Sequence, residues 1–307
     1  MKKKMLFFVN PNAGHAEIRA NLMEVLQIFT LGGYDVTVHP TSHAREITEV
    51  IASVGERYDM IVSTGGDGTL NETVSGLMQL AHPPVLGYVP GGTVNDVAST
   101  LKLPKNTLDA AKVVVTGREF LLDIGSFNEN WFTYVAAFGA FTDVAYQTPQ
   151  EDKRVFGRMA YLLAGARAIG DIRPVHVRAI APDRMIEDDV LIGMVCSTTS
   201  VGGFKAWRDL EISLNDGLSE VVLVKDIKNL IDFNAVAGAI LRQDFDNDYF
   251  DFFQTDSIRF EFNAPVAWTL DGEFGGSVET AEISNHSRAL RIMVPQDETV
   301  PGIISGR

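Results

Sequence analysis

The residues best suited to chemistry lie in the run Ser63-Thr64-Gly65-Gly66-Asp67-Gly68-Thr69-Leu70-Asn71-Glu72. The apolar Met60-Ile61-Val62 before it reads as the end of a buried strand, and Leu70, Val74, Leu77 and Leu80 after it recur at helical spacing. Three glycines in four positions therefore fall where a strand turns into a helix. Such a turn presents backbone N–H groups at the helix start, which suit a phosphate. Glycine has no Cβ to hold the anion away. Glycine is also an ordinary loop residue, but the Asp among the glycines and the Asn-Glu behind them favour a phosphate turn over a merely tight connection. Two further runs combine carboxylates with glycine: Asn215-Asp216-Gly217-Leu218 and Thr269-Leu270-Asp271-Gly272-Glu273. On residue type alone, each is equally readable as a plain turn beside a strand.

The elements that must position these residues change character along the chain. In the first half four strand-then-helix units follow one another, with strands at 5–9, 34–39, 60–62 and 85–89. The first two helices are marked by Ile18, Leu22, Val25, Leu26 and Phe29, and by Ile47, Val50, Ile51 and Val54. The fourth strand exits through Pro90-Gly91-Gly92-Thr93-Val94-Asn95-Asp96, a second double-glycine turn before a helix. This alternation predicts a parallel sheet with helices on both faces, whose ligands bind at the carboxyl ends of the strands. There is no Gly-Lys dipeptide and no G-x-G-x-x-G, so neither a Walker-type loop nor a dinucleotide fingerprint is present.

From residue 126 onward the pattern is of strands with short turns, at 131–137, 175–181, 185–197, 220–224, 257–262, 266–270 and 278–284, with one helix over 230–241. It predicts an all-β domain, a sandwich. A closing strand is read at 290–294. Residues 153–167 carry Lys153, Arg154, Arg158 and Arg167 in an amphipathic pattern. They read first as an ordinary helix with a solvated charged edge, and second as a surface that approaches an anionic bilayer. The acidic-aromatic segment 244–250 reads as a solvated loop with buried aromatics rather than a metal site.

The 307 residues suffice for one large or two ordinary domains, and 46% apolar with 21% charged residues is usual for a soluble globular chain. A net charge of −14 argues against nonspecific nucleic-acid binding and against wholesale adsorption to anionic membranes. Cys196 is the only cysteine, which excludes an intrachain disulfide and a cysteine-rich zinc site. The apolar run after Lys2-Lys3-Lys4 is too short for a signal peptide's core and reads as the opening strand. No stretch approaches the roughly 20 apolar residues of a spanning helix. A cytoplasmic protein, transiently at the inner membrane surface, is expected.

Taken together, Asn10-Pro11-Asn12-Ala13-Gly14, the glycine-rich run 65–72 and the turn 90–96 resemble the three signatures of the diacylglycerol kinase catalytic-domain family, in order and at family-like separations. The chain is most similar to the family's soluble bacterial lipid kinases, which are relatives of sphingosine kinases and, more remotely, NAD kinases. The Gly-Gly-Asp-Gly core alone is shared with NAD kinases and phosphofructokinases; the combination is more specific. Gly91-Gly92 departs from the single glycine that many members carry there.

The resemblance implies an α/β ATP-binding domain over 1–125 plus 289–307, a β-sandwich domain over 126–288, and an active site in the cleft between them. It implies that ATP contacts Asn10, Pro11, Asn12, Ala13, Gly14, Thr41, Gly66, Asp67, Gly68, Thr69, Leu70, Asn71, Glu72 and Thr93. It also implies Mg²⁺ at the phosphates and a structural Mg²⁺ held by the Asp216 carboxylate and main-chain carbonyls near Ser213 and Leu218. Glu273 is then the proton acceptor from a lipid hydroxyl, with Asp271 the second choice. The activity implied is phosphorylation of a membrane lipid by a peripherally docked enzyme, diacylglycerol first. Phosphatidylglycerol, a sphingoid base, a polyprenol, NAD and a non-catalytic nucleotide-binding regulator are the alternatives. The sequence leaves monomer and homodimer open.

Overall fold

The computed structural model describes residues 2–10, 16–139, 173–197, 200–201, 204–205, 213–228, 232, 234–236, 238–239 and 245–296. The basic run 153–167 and much of 230–241 lie outside them; the described residues 232, 234–236 and 238–239 are helical. The chain divides into two compact units, one of residues 1–124, 213–216 and 287–307, the other of 125–212 and 217–286.

In the first unit, β1 (Lys3–Val9), α1 (Ala16–Leu31), β2 (Tyr34–Pro40), α2 (Glu46–Val54), β3 (Met60–Gly65), α3 (Asp67–Leu77) and β4 (Val85–Pro90) alternate as the apolar pattern requires. Two helices follow, α4 (Asp96–Thr100) and α5 (Thr107–Thr116), before β5 (Arg118–Phe127). The strands run parallel, β2 beside β1, then β3, then β4. Residue Ile292, near the end of the last described strand, pairs in parallel with Leu86.

Alternation along the strands splits their side chains between two faces. Met5, Phe7, Met60, Val62 and Val89 meet α1 and α5 through Val25, Phe29, Ala111 and Val114. Leu6, Phe8, Ile61 and Leu86 are buried outside that cluster, on the opposite face. The α2–α3 contact is close, since a Cβ on Gly76 would lie 2.8 Å from the Ile51 Cβ. Burial on both faces explains the near-continuous apolar runs of β1, β3 and β4.

The second unit contains β6 (Asn130–Phe132), β7 (Val135–Gly139), β8 (Val175–Ala181), β9 (Arg184–Cys196), the short β10 (Ser200–Val201) and β11 (Phe204–Lys205), β12 (Ser219–Lys225), β13 (Phe250–Thr255), β14 (Ser257–Leu270) and the start of β15 (Glu273–Val294). Among the described residues, antiparallel pairing runs from β13 through β12, β9 and β7 to β14 and β15, with β8 also between β9 and β14. Among the described residues these strands form one continuous hydrogen-bonded path rather than the two separate sheets of the expected sandwich, and β10 and β11 pair only with each other. The inward side chains of that path converge on a single core. Phe138, Phe260, Phe262 and Trp268 stack and edge against one another with centroids 4.7–6.4 Å apart.

Several expected boundaries differ. The predicted strands 257–262 and 266–270 are one strand with an irregular register between Glu261 and Val266. Those at 278–284 and 290–294 are likewise one element. The predicted strand 131–137 is broken at Thr133-Tyr134, for a reason that belongs to the site. Residues 250–255 form a strand not expected from the sequence. Phe245 and Phe250 are buried edge to face at 5.2 Å while Asp246 and Asp248 are exposed, as the reading of 244–250 anticipated.

Candidate active site

The strand β3 runs out at Gly65, and α3 begins at Asp67 with Gly66 in extended conformation at its N-cap and no side chain capping it. A helix start normally recruits a Ser, Thr, Asn or Asp side chain for its orphan N–H groups. Here no side chain takes that role, and the helix dipole favours an anion. The Thr69 side chain folds back over Gly65, where any Cβ would collide with it.

The second double-glycine turn is welded to the first. Gly91 N donates to Gly65 O at 2.7 Å. A Cβ on Gly92 would lie 2.5 Å from the Gly66 Cα and 2.7 Å from Asn95 Oδ1, so the two backbones approach as only glycine permits. Asn95, in the left-handed region at φ 54°, ties the arrangement together. Its Oδ1 accepts from Gly92 N at 3.0 Å, its Nδ2 donates to Gly92 O at 2.7 Å, and its backbone N donates to Asp67 Oδ2 at 3.0 Å. Beneath them the buried Tyr88 hydroxyl donates to Gly65 O at 2.9 Å. Burial, and secondarily the Asp67 charge, pushes the Tyr88 phenol well above its ordinary range and keeps it a donor. Asn95 and Tyr88 were not among the expected contacts. Asn95 lies within a motif whose glycines drew the attention, and Tyr88 has no sequence signal beyond an apolar strand.

Gly92→Ala should drive these turns apart. Overpacking of this kind costs about 1–3 kcal/mol. Borne by the turn, that would weaken binding of the ATP that the sequence resemblance implies roughly 10- to 100-fold, measurable by equilibrium dialysis.

Asn10 follows β1 directly, half-buried, while Pro11, Asn12, Ala13 and Gly14 lie outside the described residues. Thr41 is buried and donates its N–H to Val9 O at 2.9 Å, which sets it beside the end of β1. Just after it, Glu46 accepts from Ser42 N, Ser42 Oγ, His39 Nε2 and His43 N. These bonds, the Ser42 N–H foremost, lower its carboxyl to about 2 and keep the loop's anchor charged. Gly68, Thr69 and Asn71 sit in the first turns of α3, half-buried, and Thr93 is exposed on the second turn. Leu70 differs from expectation: its side chain is 1% exposed in the core and its N–H already donates to Gly66 O. The Glu72 carbonyl accepts from Thr48 Oγ1 at 2.7 Å, fastening α3 to α2.

In the second unit the run 269–273 is the tip of the β14–β15 hairpin. Asp271 and Gly272 form its two-residue turn with φ of 51° and 83°, the backbone demanded by a type I′ turn and favoured by Asp-Gly. Asp271 is 4% exposed and its carboxylate is saturated. Oδ2 accepts from Thr133 N and Thr133 Oγ1, both at 2.7 Å, and Oδ1 from Tyr134 N at 2.9 Å and Val135 N at 3.1 Å. Those bonds hold Thr133 and Tyr134 out of the ladder, and the expected strand 131–137 breaks there into β6 and β7.

Asp271→Ala would strand three buried N–H groups, each worth about 1–3 kcal/mol. The unit should lose at least about 3 kcal/mol, read by denaturant unfolding. Glu273, across the turn, is exposed and pairs in register with Leu270.

The run 213–218 is a turn with Gly217 at φ 82° and an exposed Asp216. Ser213 Oγ donates to Asn215 Oδ1 at 3.1 Å, and Leu218 O accepts from Asn285 Nδ2 at 2.9 Å. Ser213, Asp216 and Leu218 offer oxygen donors only, with one carboxylate. That donor set fits a Mg²⁺ that keeps most of its waters. No cluster of three or more His, Cys, Asp or Glu that could hold a metal exists among the described residues. A cavity of about 570 Å³ in the first unit lies among Lys3, Asp59, Val85, Glu119 and Arg291. It opens at the amino ends of the strands, away from both glycine turns.

The chain resembles known proteins along its whole length. Residues 4–127 match the family model of the diacylglycerol kinase catalytic domain. The diacylglycerol kinase of Bacillus subtilis (strain 168) is 32% identical over 301 residues, 97% of this chain and 98% of that protein. That of Staphylococcus saprophyticus subsp. saprophyticus is 27% identical over 299 residues, 97% of each. Two crystal structures from Bacillus anthracis str. Sterne share the fold. One superposes with a TM-score of 0.82 at 24% identity and 95% coverage of both chains. The other, of a diacylglycerol kinase, gives 0.73 at 21% identity, covering 95% of this chain and 97% of that one.

Proposed function

The chain belongs to the diacylglycerol kinase family, and from that premise we propose that it is an ATP-dependent lipid kinase that phosphorylates the hydroxyl of diacylglycerol to give phosphatidic acid. The observation that carries the reading is the uncapped start of α3, backed by a second glycine turn and closed by Asn95. It has the form of an anion cradle that a single methyl group would spoil.

In this reading the Gly66–Asp67–Gly68 backbone and Thr69 bind and orient the phosphates, and Thr41 and Thr93 border the nucleotide. ATP supplies the γ-phosphoryl group, and a Mg²⁺ bound with it would supply charge neutralisation at the phosphate oxygens. Asp67 holds one carboxylate oxygen on Asn95 N and so keeps the two glycine turns in register while presenting negative charge to a phosphate-bound cation. Glu273 takes the proton from the lipid hydroxyl as it attacks. An alcohol with a pKa far above neutrality needs such an acceptor within reach during attack. Asp271 does not serve as the base, because four donors already occupy its oxygens. It positions Glu273 by fixing the hairpin tip. Asp216, Ser213 and Leu218 are the residues that would hold a structural Mg²⁺. Among the described residues no helix is long and apolar enough to cross a membrane, and the proposed enzyme reaches its lipid from the cytoplasmic side.

A competition assay tests the substrate class. With γ-labelled ATP and equal diacylglycerol and NAD, label should enter the lipid; label in NAD would replace this reading with a dinucleotide kinase.

A further inference from the structure

The hairpin that carries Glu273 also carries an exposed ring. Phe274 is 61% exposed, and it is the only aromatic among the strongly exposed large hydrophobic residues of the described chain. Gly272 precedes Glu273, and Gly275 and Gly276 follow Phe274. At Gly276 (φ 108°) a Cβ would meet nothing within 4 Å. Phe274 pairs across the hairpin with Thr269, whereas Glu273 pairs with Leu270, so the two project from opposite faces of the same tip. The tip itself is stiff, because Asp271 pins it through four hydrogen bonds. A rigid hairpin ending in an exposed phenyl ring suits insertion into an apolar phase, where an aromatic side chain recovers its hydrophobic burial. Charge points the same way. At −14 the chain gains little from anionic headgroups, which leaves apolar contact as the means of holding this tip at a lipid surface.

We propose that Phe274 is a bilayer anchor, inserting among lipid acyl chains so that the hairpin tip presents Glu273 to membrane-borne substrate. The inference rests on the lipid-kinase reading and gives it a docking element. Phe274 is a positioning residue: it touches the bilayer, not the reacting atoms.

The test compares wild type with Phe274→Ser and Phe274→Trp on two substrates, long-chain diacylglycerol in phosphatidylcholine vesicles and a short-chain diacylglycerol dissolved as monomers. Phe274→Ser should raise the vesicle concentration needed for half-maximal rate roughly tenfold or more, with kcat and KM on the monomeric substrate unchanged. Phe274→Trp should retain vesicle activity, and its added indole emission, taken as the difference from wild type, should shift to the blue when vesicles are added, at low and high salt alike. Unchanged vesicle kinetics in Phe274→Ser, an equal loss on both substrates, or an indole that stays in water would overturn the proposal. The fluorescence needs no turnover. Absence of any phosphorylated lipid from wild type would therefore count against the kinase reading, while the emission shift still decides the anchor.

Discussion

Asp67→Asn should give a folded protein that has lost about 10²–10³ in phosphotransfer rate, the usual cost of removing one preorganised charge or donor from a transition state. The asparagine is chosen because it separates two roles. The Asp67 oxygen that accepts from Asn95 N at 3.0 Å can be replaced by an amide oxygen, so the junction of the glycine turns survives. The negative charge does not. Thermal unfolding should therefore remain close to wild type while kcat collapses. Asp67→Ala should lose as much activity and, in addition, about 1–2 kcal/mol of stability through the unsatisfied Asn95 N–H. Full activity in Asp67→Asn would reduce Asp67 to a structural tie.

Glu273→Gln carries the other large effect. A positioned general base contributes about 10²–10⁴, and kcat should fall by that amount with the affinity for ATP unchanged. Stability should also be unchanged, since Glu273 is exposed at a turn held by other residues. The contrast with Asp271 is the informative part. Both carboxylates stand in the same five-residue run, yet substitution of Asp271 should lower stability and that of Glu273 only turnover. If Glu273→Gln keeps its rate, the proton goes elsewhere, and Asp271, with its oxygens saturated, is not the substitute.

The contrast also marks where sequence reasoning reaches its limit. Local periodicity was sufficient for the α/β half. The β1, β3 and β4 runs are apolar because both faces of a parallel sheet are covered, and the glycines mark where each strand must turn sharply. The resemblance of the three motifs to a kinase family was equally legible, and comparison with a relative of 32% identity sustains it. Long-range pairing was not legible. Nothing in residues 131–137 announces that the N–H groups of Thr133, Tyr134 and Val135 donate to a carboxylate well over a hundred positions later. Nor does Asp271-Gly272-Glu273 reveal which acid is saturated. Tyr88 reads as one more strand residue until its hydroxyl is seen beneath Gly65. Leu70 shows the converse: a motif residue whose side chain serves the core. Chemistry borne by backbone and glycine left a pattern in sequence, whereas chemistry that depends on which distant donors reach a carboxylate left none.

The most direct test of the account is mass spectrometry of lipid extracts incubated with the purified protein, Mg²⁺ and ATP labelled in the γ-phosphate. The account predicts a labelled phosphatidic acid that increases with time, requires ATP and is absent with Glu273→Gln. An extract in which no lipid gains the label, with wild-type protein that binds ATP, would contradict it and leave a nucleotide-binding protein without this reaction.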